Sequence, residues 1–90
     1  MTEDDLDEAL RALAHSERRK FLSECRGARR AAGDLANLSK LSLATVSEHL
    51  KVLRKTGLVR LEKDGRFWYY LTDQERLDSV SRALAMVGRD

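Results

Sequence analysis

Apolar residues recur at helical spacing in the first half of the chain and predict three short helices. A first amphipathic helix presents one apolar face, at i, i+4 and i+7, made of Leu6, Leu10 and Leu13. Ser16 ahead of Glu17 predicts the N-cap and first turn of a second helix, which Gly27 would end. A third helix is predicted from about Asp34. The predicted buried face of the second helix consists of Phe21, Leu22 and Cys25. That of the third helix consists of Leu35 and Leu38.

A longer periodic segment follows and predicts a helix from Leu43 to Lys55. Ser42 is placed to cap its first turn, and Thr56-Gly57 supplies a glycine at its end. Its apolar positions, at i, i+3, i+7 and i+10, are Leu43, Val46, Leu50 and Leu53. Because only a few residues separate it from the third helix, the pair has the spacing of a helix-turn-helix. Its other face begins with short side chains where surface helices normally carry long charged ones, which indicates close approach to a partner.

Two strands and a final helix complete the predicted order. The segments "LVRLEK" and "RFWYYL" flank Asp64-Gly65, and Asp-Gly between strand-forming segments is a strong hairpin signal. From Asp73 onward, apolar residues return at spacings of three, four and three, as Leu77, Val80, Leu84 and Val87. No proline, repeat or low-complexity tract marks a linker. We therefore expect one domain over 1–90, a mostly α winged helix-turn-helix with a β-hairpin wing (α+β) in the order α-α-α-α-β-β-α.

Charge is distributed unevenly along the 90 residues, although the formal net charge is only +2. Residues 1–9 carry five acids and no base, and residues 10–66 carry 14 Lys and Arg against 6 Asp and Glu. A basic middle segment is typical of a chain that binds a polyanion, because neutralised phosphates release their condensed counterions. An ordinary solvated surface is the alternative that charge alone leaves open.

Several classes of protein are excluded by what the sequence lacks. Cys25 is the single cysteine, so an intrachain disulfide is ruled out, and its place on an apolar helix face predicts a buried, inert thiol and not a redox sensor. No apolar run approaches the roughly 20 residues that span a bilayer, and the acidic N-terminal segment differs from a signal peptide. We therefore expect a cytoplasmic protein with no membrane partner. Without a nucleophile and base pair or a glycine-rich phosphate loop, we expect no enzyme.

The helix-turn-helix segment resembles a known family. In "DLANLSKLSLATVSEHLKVLRKTGLV" the family's pattern is matched without a gap at Asp34-Leu35, Leu41-Ser42, Thr45-Val46-Ser47, His49-Leu50, Val52-Leu53 and Gly57-Leu58-Val59. In "DGRFWYY" the family's wing is matched at Asp64-Gly65-Arg66 and Tyr69-Tyr70. From about Leu6 to Tyr70 the chain resembles the ArsR/SmtB family of small prokaryotic winged-helix transcriptional repressors. The resemblance implies a homodimer, built from the first and last helices, that binds operator DNA and releases it on a signal.

The departures from the family's pattern concern regulation and DNA sequence. Metal-sensing members carry a Cys-x-Cys or similar cluster at the entry to the third helix, where this chain has "RAAGD". A second family site uses histidine from the last helix, where "DQERLDSVSRALAMVGRD" has none. We therefore expect no regulatory metal and no cofactor, and the effector stays unknown. Leu43 stands where the family usually has Gln, and Glu48 where it usually has Arg, so operator sequence cannot be transferred from relatives.

The residues expected to contact DNA lie mainly on the fourth helix, since the N-terminal part of a recognition helix lies in the major groove. They are Ser42, Ala44, Thr45, Ser47, Glu48, His49 and Lys51, with Lys63 and Arg66 in the wing and Arg29 and Arg30 on the flank. Two of them have structural alternatives: Glu48 as a solvated partner of Lys51, and His49 as a half-buried, packed side chain. Strand core or interface, and not a platform for stacked bases, is the role predicted for Trp68, Tyr69 and Tyr70.

Pairing of two chains is predicted through the first and last helices, residues 5–14 and 73–88, because their narrow apolar stripes suit a helix-on-helix seam. The alternative is a last helix that folds back onto its own domain. The predicted interface residues are Leu6, Leu10, Leu13, Leu77, Val80, Leu84 and Val87. Two recognition helices about 34 Å apart would contact half-sites of an inverted repeat about 10 bp apart. We therefore expect a dimeric regulator specific for double-stranded DNA, most simply a repressor that occupies a promoter operator. The alternatives are a winged-helix protein-interaction module and an architectural, non-specific DNA binder.

Overall fold

Five helices and one antiparallel hairpin follow one another in the computed structural model, which describes residues 1–89. The helices are α1 (Glu3–Leu13), α2 (Ser16–Glu24), α3 (Ala32–Ser39), α4 (Leu43–Lys55) and α5 (Gln74–Ala85), and the strands are β1 (Val59–Asp64) and β2 (Phe67–Thr72). This order confirms the predicted winged helix-turn-helix fold. Over the described residues, no helix is long and apolar enough to cross a membrane.

Polar contacts at both ends fix α1. The Thr2 hydroxyl accepts a hydrogen bond from the Asp5 amide at 3.0 Å, and the Asp5 carboxylate accepts one from the Thr2 amide at 3.2 Å. This capping box satisfies free amides at the helix start, and the donated Thr2 amide holds the pKa of Asp5 below its ordinary value. At the other end, Arg19 of α2 donates to the carbonyl oxygen of Leu13 at 2.7 Å and joins the two helices.

Both ends of α2 differ from the predicted ones. Ser16 is not an N-cap, because His15 has the extended backbone of that position and Ser16 is already helical. The helix also ends at Glu24, well ahead of Gly27. The reason is tertiary: the chain must leave the helix early to bring Arg30 into a backbone bridge with β2.

The third helix starts earlier than predicted and leads into a tight turn. α3 begins at Ala32 and not at Asp34, since the Asp34 carboxylate accepts the amide of Ala31 at 3.0 Å and stabilises an earlier first turn. Lys40 ends the helix with φ 61°, the left-handed conformation common at helix C-caps. Ser42 then caps α4, so only a few residues separate the two helices of the helix-turn-helix.

α4 covers the predicted residues, and its end is fixed by a Schellman motif. Gly57 has φ +78°, and the amides of Gly57 and Leu58 donate at 3.1 and 2.9 Å to carbonyl oxygens of the last turn. Arg76 of α5 adds a tertiary contact, because its Nε donates to the Thr56 carbonyl oxygen at 3.2 Å. The end of the recognition helix is therefore tied to the last helix of the chain.

One core lies between the helices and the base of the hairpin. Its buried side chains are Leu6, Ala9, Ala12, Phe21, Leu22, Cys25, Leu35, Val46, Leu50, Leu53, Leu58, Val59 and Val80. The prediction of a buried thiol is confirmed, and burial raises the pKa of Cys25 to about 11. At neutral pH the thiol therefore stays protonated and unreactive.

Leu38, predicted to be buried, is exposed, and so is Leu43, the first apolar position of α4. Leu38 is 58% exposed at the rim of a shallow groove between α2 and α3, and Leu43 is 56% exposed in the first turn of α4. Both helices extend beyond the elements that cover them, so that α3 is buried at Leu35 and α4 only from Val46 onward. Helical spacing identified the correct faces, but the predicted burial of Leu38 is wrong.

β1 and β2 pair along their full length and form the wing. The loop that joins them is the two-residue segment Gly65–Arg66, so Asp64 belongs to β1 and the predicted Asp64-Gly65 turn is one residue too early. Gly65 has φ +62°, which a type II′ turn requires at its first loop position and glycine adopts without strain.

Contacts with the loop after α2 hold the base of the wing. The Thr72 hydroxyl donates to the carbonyl oxygen of Leu22 at 2.7 Å, and the Thr72 amide donates to that of Cys25 at 3.0 Å. Arg30 and Tyr70 exchange two backbone hydrogen bonds, at 2.9 and 2.7 Å. At Tyr70, Arg30 therefore pairs with β2 as a third strand one residue long.

Candidate nucleic-acid interface

The exposed side of α4 presents one row of side chains from its first turn to its last. At intervals of four residues, the row contains Leu43, Ser47, Lys51 and Lys55, all exposed. Alongside its N-terminal half lie the exposed side chains of Ala44, Thr45 and Glu48. The helix therefore presents short or apolar side chains at its start and cations toward its end.

The hydroxyl groups at the start of α4 are linked. Ser42 Oγ accepts the Thr45 amide at 3.1 Å and donates its own proton to Thr45 Oγ1 at 2.9 Å. The proton of Ser42 is thus engaged, and that of Thr45 is the one free to bond a base or a phosphate. Glu48 is not the partner of Lys51, since none of the ion pairs found over residues 1–89 joins them.

An open groove of about 340 Å³ separates α4 from the wing. Its lining consists of Ser47, Leu50, Lys51, Arg54, Lys55 and Tyr70. Three cations therefore lie on one wall, and a half-buried tyrosine lies on the other. In the described part of the chain, none of these cations has a carboxylate within 4.0 Å, so their charge is not neutralised internally.

Sequence reasoning missed Arg54 and Lys55 as site residues. Both lie in the last turn of α4, where cations are ordinary because they favour the helix dipole. Their spacing from Lys51, at i+3 and i+4, was the available signal, since it places all three on one side of the helix. Only the position of β2 shows that this side faces a groove.

The two faces of the wing differ in charge. Directly paired residues share a face, so Lys63 and Trp68 lie on the same side as Leu61 and Tyr70, which is the side of the groove. The opposite side carries Arg60, Glu62 and Asp64, paired with Leu71, Tyr69 and Phe67. The groove side of the wing therefore presents Lys63 among aromatic and apolar side chains, and both acids of the wing lie on the other side together with Arg60.

Trp68 was predicted to be strand core or interface, and in the single chain it is exposed, so it does not belong to the core. It is 51% exposed, and the Lys63 ammonium group lies 4.7 Å from its ring centroid, a cation–π contact. Its position near the tip explains the exposure, because the core covers only the base of the hairpin at Val59 and Thr72. Lys63 and Arg66, the two wing residues predicted to contact DNA, are both exposed.

Arg29, predicted to contact DNA from the flank, contacts the acids of the wing in the single chain. Its guanidinium donates to Asp64 at 2.8 Å, lies 3.9 Å from the Glu62 carboxylate and stacks 4.3 Å from the centroid of Tyr69. The hydrogen bond to Asp64 raises the pKa of Arg29. Arg30 is engaged too, since its Nε donates to the Glu24 carbonyl oxygen at 3.1 Å.

His49 faces α2, which favours its structural alternative. Arg18 Nε donates to its Nδ1 at 3.1 Å, and the rings of Phe21 and His15 lie 5.9 and 6.3 Å away, centroid to centroid. Burial, followed by the charge of Arg18, lowers the pKa of His49, while Glu17 acts weakly in the opposite direction. Its neutral ring therefore links the recognition helix to α2.

The predicted dimer residues fall into three groups. Leu6 and Val80 are buried within the single chain, where α1 and α5 meet. Partly buried against the same core are Leu10, Leu13 and Leu77. Leu84 and Val87 are exposed, and Val87 lies beyond the end of α5 at Ala85. Val87 also lines an open cavity of about 350 Å³ between the start of α1 and the end of α5, together with Met1, Ala83 and Met86.

No ready-made metal site is found in the part of the chain that the structure describes. Over residues 1–89, no three side chains of His, Cys, Asp or Glu are grouped so that they could hold a metal ion. The rings of His15 and His49 lie 6.3 Å apart, centroid to centroid, and Nδ1 of His49 accepts a hydrogen bond from Arg18.

Known helix-turn-helix proteins are similar to this chain in sequence. The model of a family described as "Helix-turn-helix domain" matches residues 13–62, more than half of the chain. The transcriptional repressor SdpR of Bacillus subtilis is 27% identical over 85 residues, which cover 93% of this chain and 94% of SdpR.

Two further proteins are similar over nearly the whole chain. The HTH-type transcriptional repressor SmtB of Mycobacterium tuberculosis is 34% identical over 88 residues, which cover 97% of this chain but 65% of SmtB. The solved structure of an ArsR-like transcriptional regulator from Rhodococcus sp. RHA1 is 29% identical and superposes with a TM-score of 0.87, over 96% of this chain and 81% of that one.

Proposed function

The chain belongs to the ArsR/SmtB family of winged helix-turn-helix transcriptional regulators, and we propose that it is a dimeric repressor that binds an inverted-repeat operator in double-stranded DNA. The observation that carries the proposal is the separation of charge around α4 and the wing. The cations without internal partners border one groove, and the wing's acids lie on its far side.

The shape of this surface suits one docking geometry. With α4 in a major groove, the wing reaches the adjacent minor groove, and the phosphate strand between them passes along the groove of the protein. Lys51, Arg54 and Lys55 would there contact phosphates, as would Lys63 and Arg66 from the wing. Each such contact contributes affinity that falls with salt, through release of counterions.

The residues proposed to contact bases lie in the first turns of α4. The small Ala44 lets the backbone approach, and the free hydroxyl proton of Thr45 can be donated to a base edge. Leu43 adds an exposed apolar group at the tip of the helix, suited to a thymine methyl. Ser47 and Glu48 complete this set, with Glu48 able to accept from a cytosine amine.

Dimerisation is proposed through α1 and α5. Leu84, Met86 and Val87 expose apolar surface at the end of the chain's last helix, next to the start of α1. A two-fold pair formed there would present two copies of α4 to successive major grooves on one side of the duplex. Occupying a promoter in this way would block transcription, within the cytoplasm of a prokaryotic cell.

No regulatory metal is part of the proposal. The entry to α3 has Ala31 and Ala32 in place of thiols, and α5 has no histidine. Release from DNA would then depend on another kind of signal or on the abundance of the protein.

A gel shift across a salt series tests the proposed function. The protein is bound to its own promoter region and to a scrambled duplex of equal length. We expect the promoter complex to persist at physiological salt while the scrambled complex is lost, and a Lys51→Ala, Arg66→Ala variant to bind more weakly with a shallower salt slope. Equal, salt-sensitive binding to both duplexes would favour an architectural DNA binder. Absence of binding at low salt would favour a protein-interaction module.

A further inference from the structure

The outer half of the wing has few internal supports. Its base is held by Thr72 and by the backbone bridge at Tyr70, but the tip projects beyond them and its residues 62–68 are all exposed. A two-stranded hairpin alone is only marginally stable in water. Something else must fix the angle at which the tip leaves the domain.

Arg29 supplies that support from the loop before α3. Its neighbour Arg30 is hydrogen-bonded through the backbone to β2, which places the Arg29 side chain beside the wing. From there the guanidinium reaches across both strands: it stacks on Tyr69 of β2, donates a hydrogen bond to Asp64 of β1 and lies 3.9 Å from the Glu62 carboxylate. A planar, multiply donating guanidinium can make these three contacts together, whereas a lysine ammonium cannot.

The position of these contacts argues against a DNA-binding role for Arg29. Asp64, Glu62 and Tyr69 lie on the wing face opposite the groove. Arg29 faces two carboxylates there, so its charge is already compensated within the chain. To bind a phosphate, Arg29 would have to break its contact with Asp64, which is 2.8 Å long.

We propose that Arg29 is a positioning residue, which holds the wing at the angle from which Lys63 and Arg66 contact the minor groove. This inference rests on the proposed DNA-binding function. Arg29 acts on DNA affinity only through the wing, and its own charge is neutralised in both the free and the bound protein.

Salt-dependent affinity distinguishes a positioning residue from a phosphate contact. Operator affinity is measured for Arg29→Gln and Arg29→Lys, with Arg66→Gln and Arg66→Lys as matched controls at the wing tip. We expect both Arg29 variants to bind about three- to ten-fold more weakly with an unchanged slope of log K against log salt. The loosened wing must be ordered on binding, which costs affinity, but in the complex every phosphate keeps its cation. Arg66→Gln should reduce the slope by about 0.9 for each phosphate that it leaves without a cation, and Arg66→Lys should retain the slope.

A double-mutant cycle and amide exchange complete the test. In an Asp64→Asn background, Arg29→Gln should weaken binding little further, since the ion pair that it removes is already weakened. In the free protein, Arg29→Gln should speed amide exchange over residues 62–68 while α4 stays protected.

The inference is overturned if Arg29→Lys binds like wild type while Arg29→Gln reduces the salt slope, which would indicate a direct phosphate contact. It is also overturned if exchange in the wing is unchanged. If wild type binds no DNA at low salt, the proposed function fails, and wing exchange alone still decides whether Arg29 holds the wing.

Discussion

At the residue scale, His49 shows how a recognition-helix side chain can serve the fold. Its position suited a phosphate contact or a packed role equally well in sequence. The structure turns it toward α2, where Arg18 donates to Nδ1 and the edge of Phe21 covers the ring. The nitrogen that accepts from Arg18 must be unprotonated, so the contact depends on pH.

Stability should therefore fall as His49 is protonated. The folded-state pKa of His49 is lowered from its ordinary value of 6.5, so the unfolded chain binds more protons as pH falls through this range. We expect the free energy of unfolding to decrease from about pH 7 downward and to level off once the folded state is protonated too. Thermal unfolding of wild type and His49→Gln between pH 5 and 8 measures this. If both proteins lose stability equally over that interval, His49 is not the cause.

Gly57 is the residue at which backbone conformation and packing act together. It has φ +78°, and an added Cβ would lie 3.2 Å from Arg76 Nε. We expect Gly57→Ala to destabilise the fold by about 1–2 kcal/mol, measured by urea unfolding. Gly33→Ala is the matched control, because Gly33 lies in α3 with nothing within 4 Å of the added Cβ. It should be neutral or stabilising by up to about 1 kcal/mol, and equal destabilisation by the two variants would refute the strain at Gly57.

At the element scale, the sequence predicts best the elements whose ends are set locally. α4 was predicted to the residue because Ser42 and Gly57 lie at its two ends. α2 was not, since its early end serves the pairing of Arg30 with β2 some 40 positions later. The spacing in α3 likewise gave the buried face but not the point at which the core ends, so the burial predicted for Leu38 was wrong.

The groove between α4 and the wing is an element-scale prediction that the sequence did not supply. We expect an Arg54→Gln, Lys55→Gln variant to bind DNA more weakly and to reduce the salt slope by about 0.9 for each phosphate that it no longer neutralises. Lys20→Gln is the control, because Lys20 lies on α2, where it pairs with Glu17 at 3.9 Å. Fluorescence anisotropy against salt measures both variants. An unchanged slope in the groove variant would place the phosphates elsewhere.

At the scale of the whole molecule, a single chain exposes apolar surface at the end of α5. Under the proposed function, a second copy of the chain covers this surface. Leu84 and Val87 are exposed, while Leu6 and Val80 already complete the core of one chain. The sequence stripes could not separate these groups, because both follow the same helical spacing.

A charge at this surface should therefore prevent pairing. We expect a Leu84→Glu, Val87→Glu variant to sediment as a folded monomer, because a carboxylate cannot be buried in an apolar interface without a partner. Leu38→Glu, at an equally exposed position on α3, should leave the oligomeric state unchanged. A variant that remains dimeric would show that α5 does not form the interface.

The most direct test of a dimer that spans two half-sites is a change in their spacing. Affinity is measured by anisotropy for the operator and for the same operator with 5 bp inserted between its half-sites, about half a helical turn. We predict that the insertion reduces affinity to that of a single half-site, because the second α4 then faces the wrong side of the duplex. Equal affinity for the two duplexes would contradict a rigid dimer that binds both half-sites at once.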